Sequence, residues 1–313
     1  MRGTITVGEL TQFFIYLTQL LWPIAAIGWV TGMIQRGAAS MGRLGAIIDH
    51  VPVVRNADDL KDVPEPLKGE IAFDDVSLTY AGTRPVLDHI SLSVKAASSL
   101  GIIGQVGSGK TSLVNLIPRL YDATSGSVQV DGVDVRDLRL DVLRGSIAVV
   151  PQESFLFSET IRENVRFGRP DATDDEVLEA ARVAQLDPDV HLLPKGYDTI
   201  VGERGITLSG GQKQHTALAR AILARPSILI LDDSLSAVDT DTESRILDGL
   251  KHVMKGRTSI MIAHRISTVK DCDNIIVLEH GRIVEEGNHD DLLARRGLYA
   301  EMFERQLLEE LIA

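Results

Sequence analysis

The chain has 313 residues, a formal net charge of −12, a single cysteine (Cys272) and an aromatic content of 4%. The length allows one large domain or two ordinary ones, while the acidic balance and the few aromatic residues argue against a surface that binds a nucleic-acid backbone or stacks on bases. One thiol excludes a disulfide within the chain and fits a reducing compartment.

Residues 10–34 form a long apolar stretch without a charged side chain. About 20 apolar residues span a bilayer, so the stretch predicts a transmembrane helix, in which Pro23 is tolerated. Arg36 and Arg43 follow closely, and the positive-inside rule therefore places the C-terminal end in the cytoplasm. The alternative is a buried helix of a soluble protein; a secretory signal is disfavoured because the run is too long and no cleavage site is obvious.

Polar residues interrupt this stretch at Thr11, Gln12, Thr18 and Gln19. They indicate a face that packs on other helices, so a single span would be an incomplete membrane domain. The helical pattern continues through residues 35–48, and the proline-containing residues 51–67 are the expected linker. We therefore expect one unit at residues 1–50 and a second at residues 68–313.

The second unit contains two kinds of strand pattern. Apolar and polar residues alternate at 70–80, 89–94 and 127–130, which predicts half-buried antiparallel strands. Continuous apolar runs follow at 147–150, 228–231, 259–262 and 275–278, mostly separated by helical stretches. That order predicts an α/β fold with a parallel sheet covered on both faces. The polar and helical residues 171–225 are the expected inserted helical subdomain.

A phosphate-binding pattern, G-x-x-x-x-G-K-[ST], is formed by Gly104, Gln105, Val106, Gly107, Ser108, Gly109, Lys110 and Thr111. Residues 99–103 before it predict a buried strand, and residues 111–120 after it predict a helix whose positive N-terminal end faces the phosphates. Lys110 would supply a charge for the β- and γ-phosphates and Thr111 a hydroxyl for Mg²⁺. The alternative is a glycine-rich turn.

Three predicted parallel strands end in residues that could bind a ligand at that edge of the sheet. Asp232 and Asp233 follow residues 228–231, and Asp232 could bind Mg²⁺ through water. Gln152 follows residues 147–150 and could reach the metal or the attacking water. His264 follows the strand predicted at residues 259–262 and could contact a γ-phosphate. Without the other strand-end residues, such a histidine would more often be structural.

A second glycine pair lies at a predicted helix start, in the sequence Leu208, Ser209, Gly210, Gly211 and Gln212. Ser209 is a good helix cap, and the glycines would expose N–H groups for an anion. An ordinary cap is the alternative, but it does not explain two adjacent poor helix formers.

Together these residues resemble the nucleotide-binding domain of ABC transporters of the exporter type, over essentially the whole chain. Residues 104–111 match the Walker A motif, and Ser112 is counted with them among the nucleotide-binding residues. Gln152 matches the Q-loop, residues 208–212 match the signature, and residues 228–232 match Walker B. Residues 236–239 match the D-loop, His264 matches the switch histidine, and Tyr80 matches the aromatic residue that stacks on adenine. Residues 1–50 resemble the end of an exporter membrane domain.

The resemblance implies an ATPase in which two domains face head to tail. ATP with Mg²⁺ would lie between the phosphate loop of one domain and the signature residues, Ser209, Gly210, Gly211 and Gln212, of the other. The implied metal ligands are Thr111, Gln152 and Asp232, and the implied catalytic residues are Asp233, His264 and Gln152. The implied partners are a second half-transporter subunit and a membrane, without nucleic acid. The nucleotide-binding domain would be cytoplasmic at the cell inner membrane, and the transported substrate is not indicated.

Two departures from the family pattern affect this interpretation. The residue after Walker B is usually a glutamate but here is Asp233. Because aspartate has one methylene fewer, its carboxylate lies about one C–C bond further from the attacking water. A misplacement near 1 Å can lower the rate about 100-fold. We therefore expect slow hydrolysis, as in one subunit of heterodimeric exporters, with a homodimer as the alternative. One membrane helix precedes the ATPase where an exporter half has six, so transport by this chain alone is not expected.

Two other functions are considered: an ATP-binding remnant without transport, and a soluble ABC ATPase that acts on nucleic acid, which the apolar stretch and the acidity oppose. Three minor features of the sequence also suggest local structure. Residues 202–205 resemble the segment that contacts the membrane domain, His215 is expected on a helix surface, and residues 299–313 are an expected amphipathic helix.

Overall fold

The computed structural model describes residues 5–82, 84–202, 208–235 and 240–312, and the side chains of all these except 240, 241 and 309–312. The D-loop match at 236–239 lies outside the described residues, as does most of the segment at 202–205. The chain divides into two units, residues 1–53 and residues 54–313, and each is described by itself.

The first unit is dominated by one long helix, α1 (Val7–Ile48). Thr6 and Glu9 cap its start reciprocally, each accepting a backbone N–H bond from the other. None of its described residues is buried, and it contains a long apolar segment. By length and composition the helix could cross a membrane, and it contains the whole predicted span at residues 10–34.

The second unit begins with an antiparallel sheet of four strands. These are β1 (Ile71–Leu78), β2 (Leu87–Val94), β4 (Ser125–Val130) and β5 (Val133–Asp134), in the order β2-β1-β4-β5. Their side chains alternate between buried and exposed over most of β1 and β2, as the sequence pattern predicts for strands with one solvated face.

The larger sheet is the centre of the unit. Its strands are β3 (Ser99–Ile103), β6 (Ile147–Val150), β7 (Ile228–Asp232), β8 (Thr258–Ile262), β9 (Asn274–Glu279) and β10 (Arg282–Gly287), in the order β10-β9-β3-β8-β7-β6. All neighbouring strands are parallel except the edge strand β10. Every residue of β7 and β8 is buried, which explains their continuous apolar runs. The predicted α/β class is confirmed.

The second unit also contains helices, which lie between and after the strands along the chain. They are α2 (Lys110–Asn115), α3 (Leu140–Gly145), α4 (Ile161–Arg166), α5 (Asp174–Val183), α6 (Asp187–His191), α7 (Gly210–Leu223), α8 (Thr240–Met254), α9 (Ile266–Val269), α10 (His289–Arg295) and α11 (Leu298–Ile312), with a 3₁₀ turn at Gly196–Asp198. The expected subdomain at 171–225 contains α5, α6 and α7.

Two local expectations were wrong. The helix predicted at residues 111–120 ends at Asn115, where bonds of the i to i+3 type begin. Pro118 explains this ending, because a proline has no N–H and disfavours a helical residue before it. His215, expected at a surface, is only 6% exposed, and its Nδ1 lies 2.7 Å from Oδ2 of Asp189.

The end of the expected linker is bound to the second unit. The carboxylate of Asp131 accepts backbone N–H bonds from Lys68, Gly69 and Glu70 at 2.6–3.0 Å. The buried guanidinium of Arg119 donates to the carbonyl oxygen of Arg55 at 3.1 Å. These bonds fix the chain that enters β1.

Candidate functional site

The loop between β3 and α2 has a backbone shape that requires glycine. Gly104, Gly107 and Gly109 have φ angles of 154°, 82° and 105°, a range that other residues rarely adopt. A Cβ on Gly104 would lie 2.2 Å from the carbonyl oxygen of Leu278, and a Cβ on Gly109 would lie 2.8 Å from that of Val86. The loop therefore packs tightly against β2 and β9 on one side.

The other side of this loop is suited to an anion. A Cβ on Gly107 would meet no atom within 4 Å, so the backbone there is open to a ligand. Ser108 Oγ is buried and has no hydrogen-bond partner within the described residues. Lys110 Nζ donates to the carbonyl oxygens of Gly104 and Gln105 at 2.8 and 2.9 Å. Burial lowers the pKa of Lys110, against the opposing effect of two nearby carboxylates.

Four strand ends bring the other candidate residues to the same cleft. The phosphate loop follows β3, Asp232 ends β7 and Asp233 follows it, His264 follows β8 and Gln152 follows β6. Thr111, Gln152, Asp232, Asp233 and His264 all line the cleft beside residues 106–112. The parallel order of these strands explains the convergence, because their carboxyl ends share one edge of the sheet.

A possible metal position lies between Thr111 and Asp232. Thr111 Oγ1 donates to Asp232 Oδ1 at 3.2 Å, and the Asp232 carboxylate is only 5% exposed. Burial raises the pKa of Asp232, which the Thr111 hydrogen bond opposes. A buried carboxylate beside a hydroxyl suits Mg²⁺, which is commonly held by one or two protein oxygens together with waters and phosphates. The residues present therefore fit this metal.

Asp233 lines this cleft together with Gln152 and His264. Gln152 Nε2 donates to its Oδ2 at 3.2 Å, and His264 Nε2 lies 3.7 Å from the same oxygen. The backbone of Asp233 has a φ of 47°, which aspartate tolerates better than most residues. Its N–H donates to the carbonyl oxygen of Ile262 at 2.9 Å, so β8 fixes the turn that presents the carboxylate.

Tyr80 lies beside the phosphate-loop helix α2. Its hydroxyl donates to Ser112 Oγ at 3.2 Å, and its ring meets the Tyr121 ring edge to face with centroids 5.2 Å apart. Tyr80 is half-buried and Tyr121 is exposed. This position beside α2 is suitable for an aromatic ring that contacts the base of a nucleotide held by the loop.

Known proteins are similar to this chain in sequence and fold. Residues 87–236 match the family model described as ABC transporter. The multidrug resistance-like ATP-binding protein MdlA of Escherichia coli (strain K12) is 43% identical over 310 residues, which are 99% of this chain and 52% of that protein. An ATP-dependent lipid A-core flippase of Syntrophus aciditrophicus (strain SB) is 41% identical over 310 residues, 99% of this chain and 51% of that protein.

A solved structure, a bacterial Atm1-family ABC exporter with ATP bound, matches with a TM-score of 0.85 and 41% identity over 97% of this chain and 54% of that one. This chain carries an ATP-binding domain of the ABC exporter type. The family couples ATP hydrolysis to transport. The chain spans about half the length of the curated relatives it matches.

The signature of this ABC domain lies at the start of α7. Ser209 Oγ accepts the N–H of Gln212 at 3.2 Å, and the Gln212 side chain accepts the N–H of Ser209 in return. Ser209 and Gly210 are exposed, whereas Gly211 and Gln212 are half-buried. None of these four residues lines the phosphate-loop cleft in the part of the chain that the structure describes. The structure therefore does not bring the signature and the phosphate loop of one chain together.

Three further residues around this ABC site were not predicted from the sequence. Tyr121 contacts Tyr80, while Glu243 and Gln306 contact the segment that carries His264. Tyr121 follows the phosphate-loop helix closely, so its aromatic character could have indicated it. Glu243 and Gln306 lie on α8 and α11, and no sequence pattern relates them to the site.

Proposed function

We propose that this chain binds ATP with Mg²⁺ at its phosphate loop and hydrolyses it to power export of a substrate across a membrane. The observation that carries the proposal is the convergence of Lys110, Thr111, Asp232 and His264 on one cleft behind an open glycine loop. The ATP-bound exporter of the same fold supports it independently. The cargo is left open.

The described side chains suggest how the nucleotide would be held. Lys110 would exchange its two carbonyl acceptors for phosphate oxygens, which bear negative charge and therefore bind an ammonium more strongly. Thr111, Asp232 and Gln152 would hold Mg²⁺, which would neutralise charge on the phosphates when bound. Ser108 Oγ, buried without a partner in the described part, would gain a hydrogen bond from the same ligand.

Two copies of the domain would form each complete site. The signature residues Ser209 and Gly211 lie outside the phosphate-loop cleft, yet the start of α7 offers N–H groups and the positive end of a 14-residue helix. A second subunit that faces the first head to tail would bring this helix start to the γ-phosphate. The signature would therefore act on the partner's nucleotide.

Asp233 would make the chain's own site slow. Its carboxylate takes the position of a glutamate in the family pattern, already accepts a hydrogen bond from Gln152 and lies 3.7 Å from His264 Nε2. A partner subunit that carries glutamate would then hydrolyse ATP at the site that this chain's signature completes. We propose a heterodimer on this ground, with a homodimer as the alternative assembly.

The proposed location follows from α1. Its apolar segment would span the cell inner membrane, and Arg36 and Arg43 would place the ATP-binding domain in the cytoplasm. An ATP-binding remnant without transport is the second candidate function, because Asp233 is compatible with a site that only holds nucleotide.

Complementation between two inactive variants tests the shared site. Lys110→Ala removes the phosphate charge, whereas Ser209→Asp keeps a good helix cap but places a negative charge towards the partner's γ-phosphate. Assayed in lipid nanodiscs as dimers of this chain alone, each variant should lose the slow turnover of the wild type. Their equal mixture should recover about a quarter of the wild-type rate, because half of the dimers are mixed and each has one intact site. Ser209→Thr is the matched control and should stay active.

Distinct outcomes contradict distinct parts of the proposal. If the wild-type chain does not retain labelled ATP with Mg²⁺, or if Lys110→Ala retains it equally, ATP binding is wrong. If the wild-type chain is active but the mixture stays inactive, the site is not shared between two copies. ATP retention without turnover by the wild-type chain, followed by turnover with a glutamate-bearing sibling, favours the heterodimer.

A further inference from the structure

The C-terminal helix α11 reaches the segment that carries His264. The side-chain amide of Gln306 makes two hydrogen bonds there: Nε2 donates to the carbonyl oxygen of His264 at 2.6 Å, and Oε1 accepts the N–H of Ile266 at 2.8 Å. One amide group thus binds the backbone on both sides of Arg265. Gln306 is 42 residues away from His264 in sequence, so this contact depends on the docking of α11.

The Ile266 N–H needs such an acceptor. Ile266 is the first residue of α9, and the first N–H groups of a helix have no acceptor within it. The N-cap residue Arg265 makes no side-chain cap bond. Gln306 therefore supplies, from another helix, the cap that the local sequence lacks.

A second contact holds the same segment from α8. Glu243 is only 4% exposed, and its Oε2 accepts a hydrogen bond from the Arg265 guanidinium at 2.7 Å. Its Oε1 accepts a hydrogen bond from the Thr268 hydroxyl. Residues 264–268 are thus tied to both α8 and α11, whereas the ring of His264 is itself 42% exposed and reaches Asp233 only at 3.7 Å. The direction of the ring therefore depends on the backbone that carries it.

The start of α11 is held in place by contacts with α10 and β10. Tyr299, at its start, is fully buried, and its hydroxyl lies 2.7 Å from Nδ1 of His289. The carboxylate of Glu285, on the edge strand β10, accepts the N–H groups of Leu298 and Tyr299. These bonds fix the first turn of α11 to the sheet, and the helix then carries Gln306 to the His264 segment.

We propose that Gln306 is a positioning residue for His264 and that α11 acts on the hydrolytic site through this contact. Gln306 holds the backbone of His264 and Ile266 so that the imidazole points towards Asp233 and the cleft. The inference rests on the proposed role of His264 in ATP hydrolysis. It assigns a function to the C-terminal helix, which does not line the nucleotide cleft in the described part of the chain.

The variant Gln306→Met keeps the size of the side chain and removes both hydrogen bonds. Arg305→Met introduces the same residue at the neighbouring, exposed position of α11 and is the matched control. Two measurements need no turnover. Hydrogen exchange at the Ile266 amide should become about tenfold faster in Gln306→Met, and the rate of His264 modification by diethyl pyrocarbonate should change at least twofold. Arg305→Met should leave both rates unchanged.

Turnover then tests the consequence for catalysis. Gln306→Met should lower kcat about tenfold, because a misplacement of less than 1 Å is enough for such a loss. The dissociation constant for ATP should change less than twofold, since the phosphate loop is untouched. In the His264→Ala background the same substitution should lower the rate less than twofold further, whereas a general loss of stability would act equally in both backgrounds.

The possible failures are distinguishable. A wild-type chain without ATPase activity, alone or with its partner, would contradict the proposed function, while the exchange and modification rates would still decide whether Gln306 positions His264. Unchanged exchange at Ile266 or an unchanged His264 modification rate would overturn the inference. With an active wild-type chain, an unchanged kcat in Gln306→Met, or an equal loss in the His264→Ala background, would overturn it as well.

Discussion

The Gln152 side-chain amide donates a hydrogen bond to Asp233, with 3.2 Å between Nε2 and Oδ2. The same oxygen is the one nearest to His264. Asp233 thus lies between residues that follow β6 and β8, the two strands beside β7, although its side chain is one methylene shorter than the glutamate of the family pattern. A longer side chain from the same backbone position would extend about 1.5 Å further into the cleft.

We therefore expect Asp233→Glu to raise the turnover of this chain. The carboxylate would come within reach of the attacking water, and the gain in kcat should be about tenfold or more at saturating ATP and Mg²⁺. The measurement is steady-state phosphate release by the purified chain, with its partner where one is needed. Asp233→Asn is the control, and it should lower the residual rate. Fast turnover by the unmodified chain would contradict a slow site.

Thr111 allows a direct test of the proposed metal position. Thr111→Val keeps the shape of the side chain but removes the hydroxyl that bonds Asp232. We expect the Mg²⁺ concentration for half-maximal turnover to rise about tenfold, the effect of losing one bond to a charged group. Thr111→Ser should behave like the wild type. An unchanged Mg²⁺ dependence in Thr111→Val would exclude Thr111 as a ligand.

The sequence predicts the large sheet better than its surroundings. Buried parallel strands are continuous apolar runs, so β7 and β8 were predicted to within one residue. The edge strand β10 was not predicted because three of its six residues are charged. The helix α9 has four residues, which are too few to show a helical period. Short and exposed elements take their structure from tertiary contacts, which a local pattern does not contain.

The same limit applies to the candidate site. The rule that ligands bind at the carboxyl ends of parallel strands predicted that Asp232 and His264 would line one cleft, and they do so, while their chemical roles stay predictions. Gln306 was missed because its two bonds depend on how α11 docks. The burial of His215 was missed because its partner, Asp189, lies on another helix.

Tyr80 is predicted to contribute affinity through its ring. Tyr80→Ala should raise the dissociation constant for ATP about tenfold, since stacking on an aromatic side chain contributes about 1–3 kcal/mol per base. Tyr80→Phe keeps the ring, removes the hydroxyl that bonds Ser112, and should stay within about threefold of the wild type. Tripolyphosphate, which has no base, should bind all three proteins equally. A weaker affinity for tripolyphosphate in Tyr80→Ala would mean that the substitution disturbs the phosphate loop instead.

The stability of the second unit should depend on Asp131. Its carboxylate accepts three backbone N–H bonds from residues 68–70, and its own φ is 51°, so alanine would lose the bonds and adopt a strained backbone. We expect Asp131→Ala to lower the free energy of unfolding by about 2 kcal/mol in urea, followed by circular dichroism. Lys68→Ala retains the backbone N–H and should change the free energy of unfolding by less than about 0.5 kcal/mol. Equal effects of the two variants would contradict this role of the carboxylate.

Cys272 should be chemically inert in the folded protein. It is 5% exposed, and burial, with a smaller contribution from Asp271 and Asp273, raises the pKa of its thiol to about 12. At pH 8 about one thiol in ten thousand would therefore be ionised, and the thiolate is the form that reacts.

We expect iodoacetamide at pH 8 to leave the native chain unmodified for hours, and to modify it completely in guanidinium chloride, as measured by intact mass. Ala96→Cys places a thiol at an exposed turn and should add one rapid modification in the native state. Rapid labelling of Cys272 itself would mean that the core around Cys272 opens under native conditions, which its burial argues against.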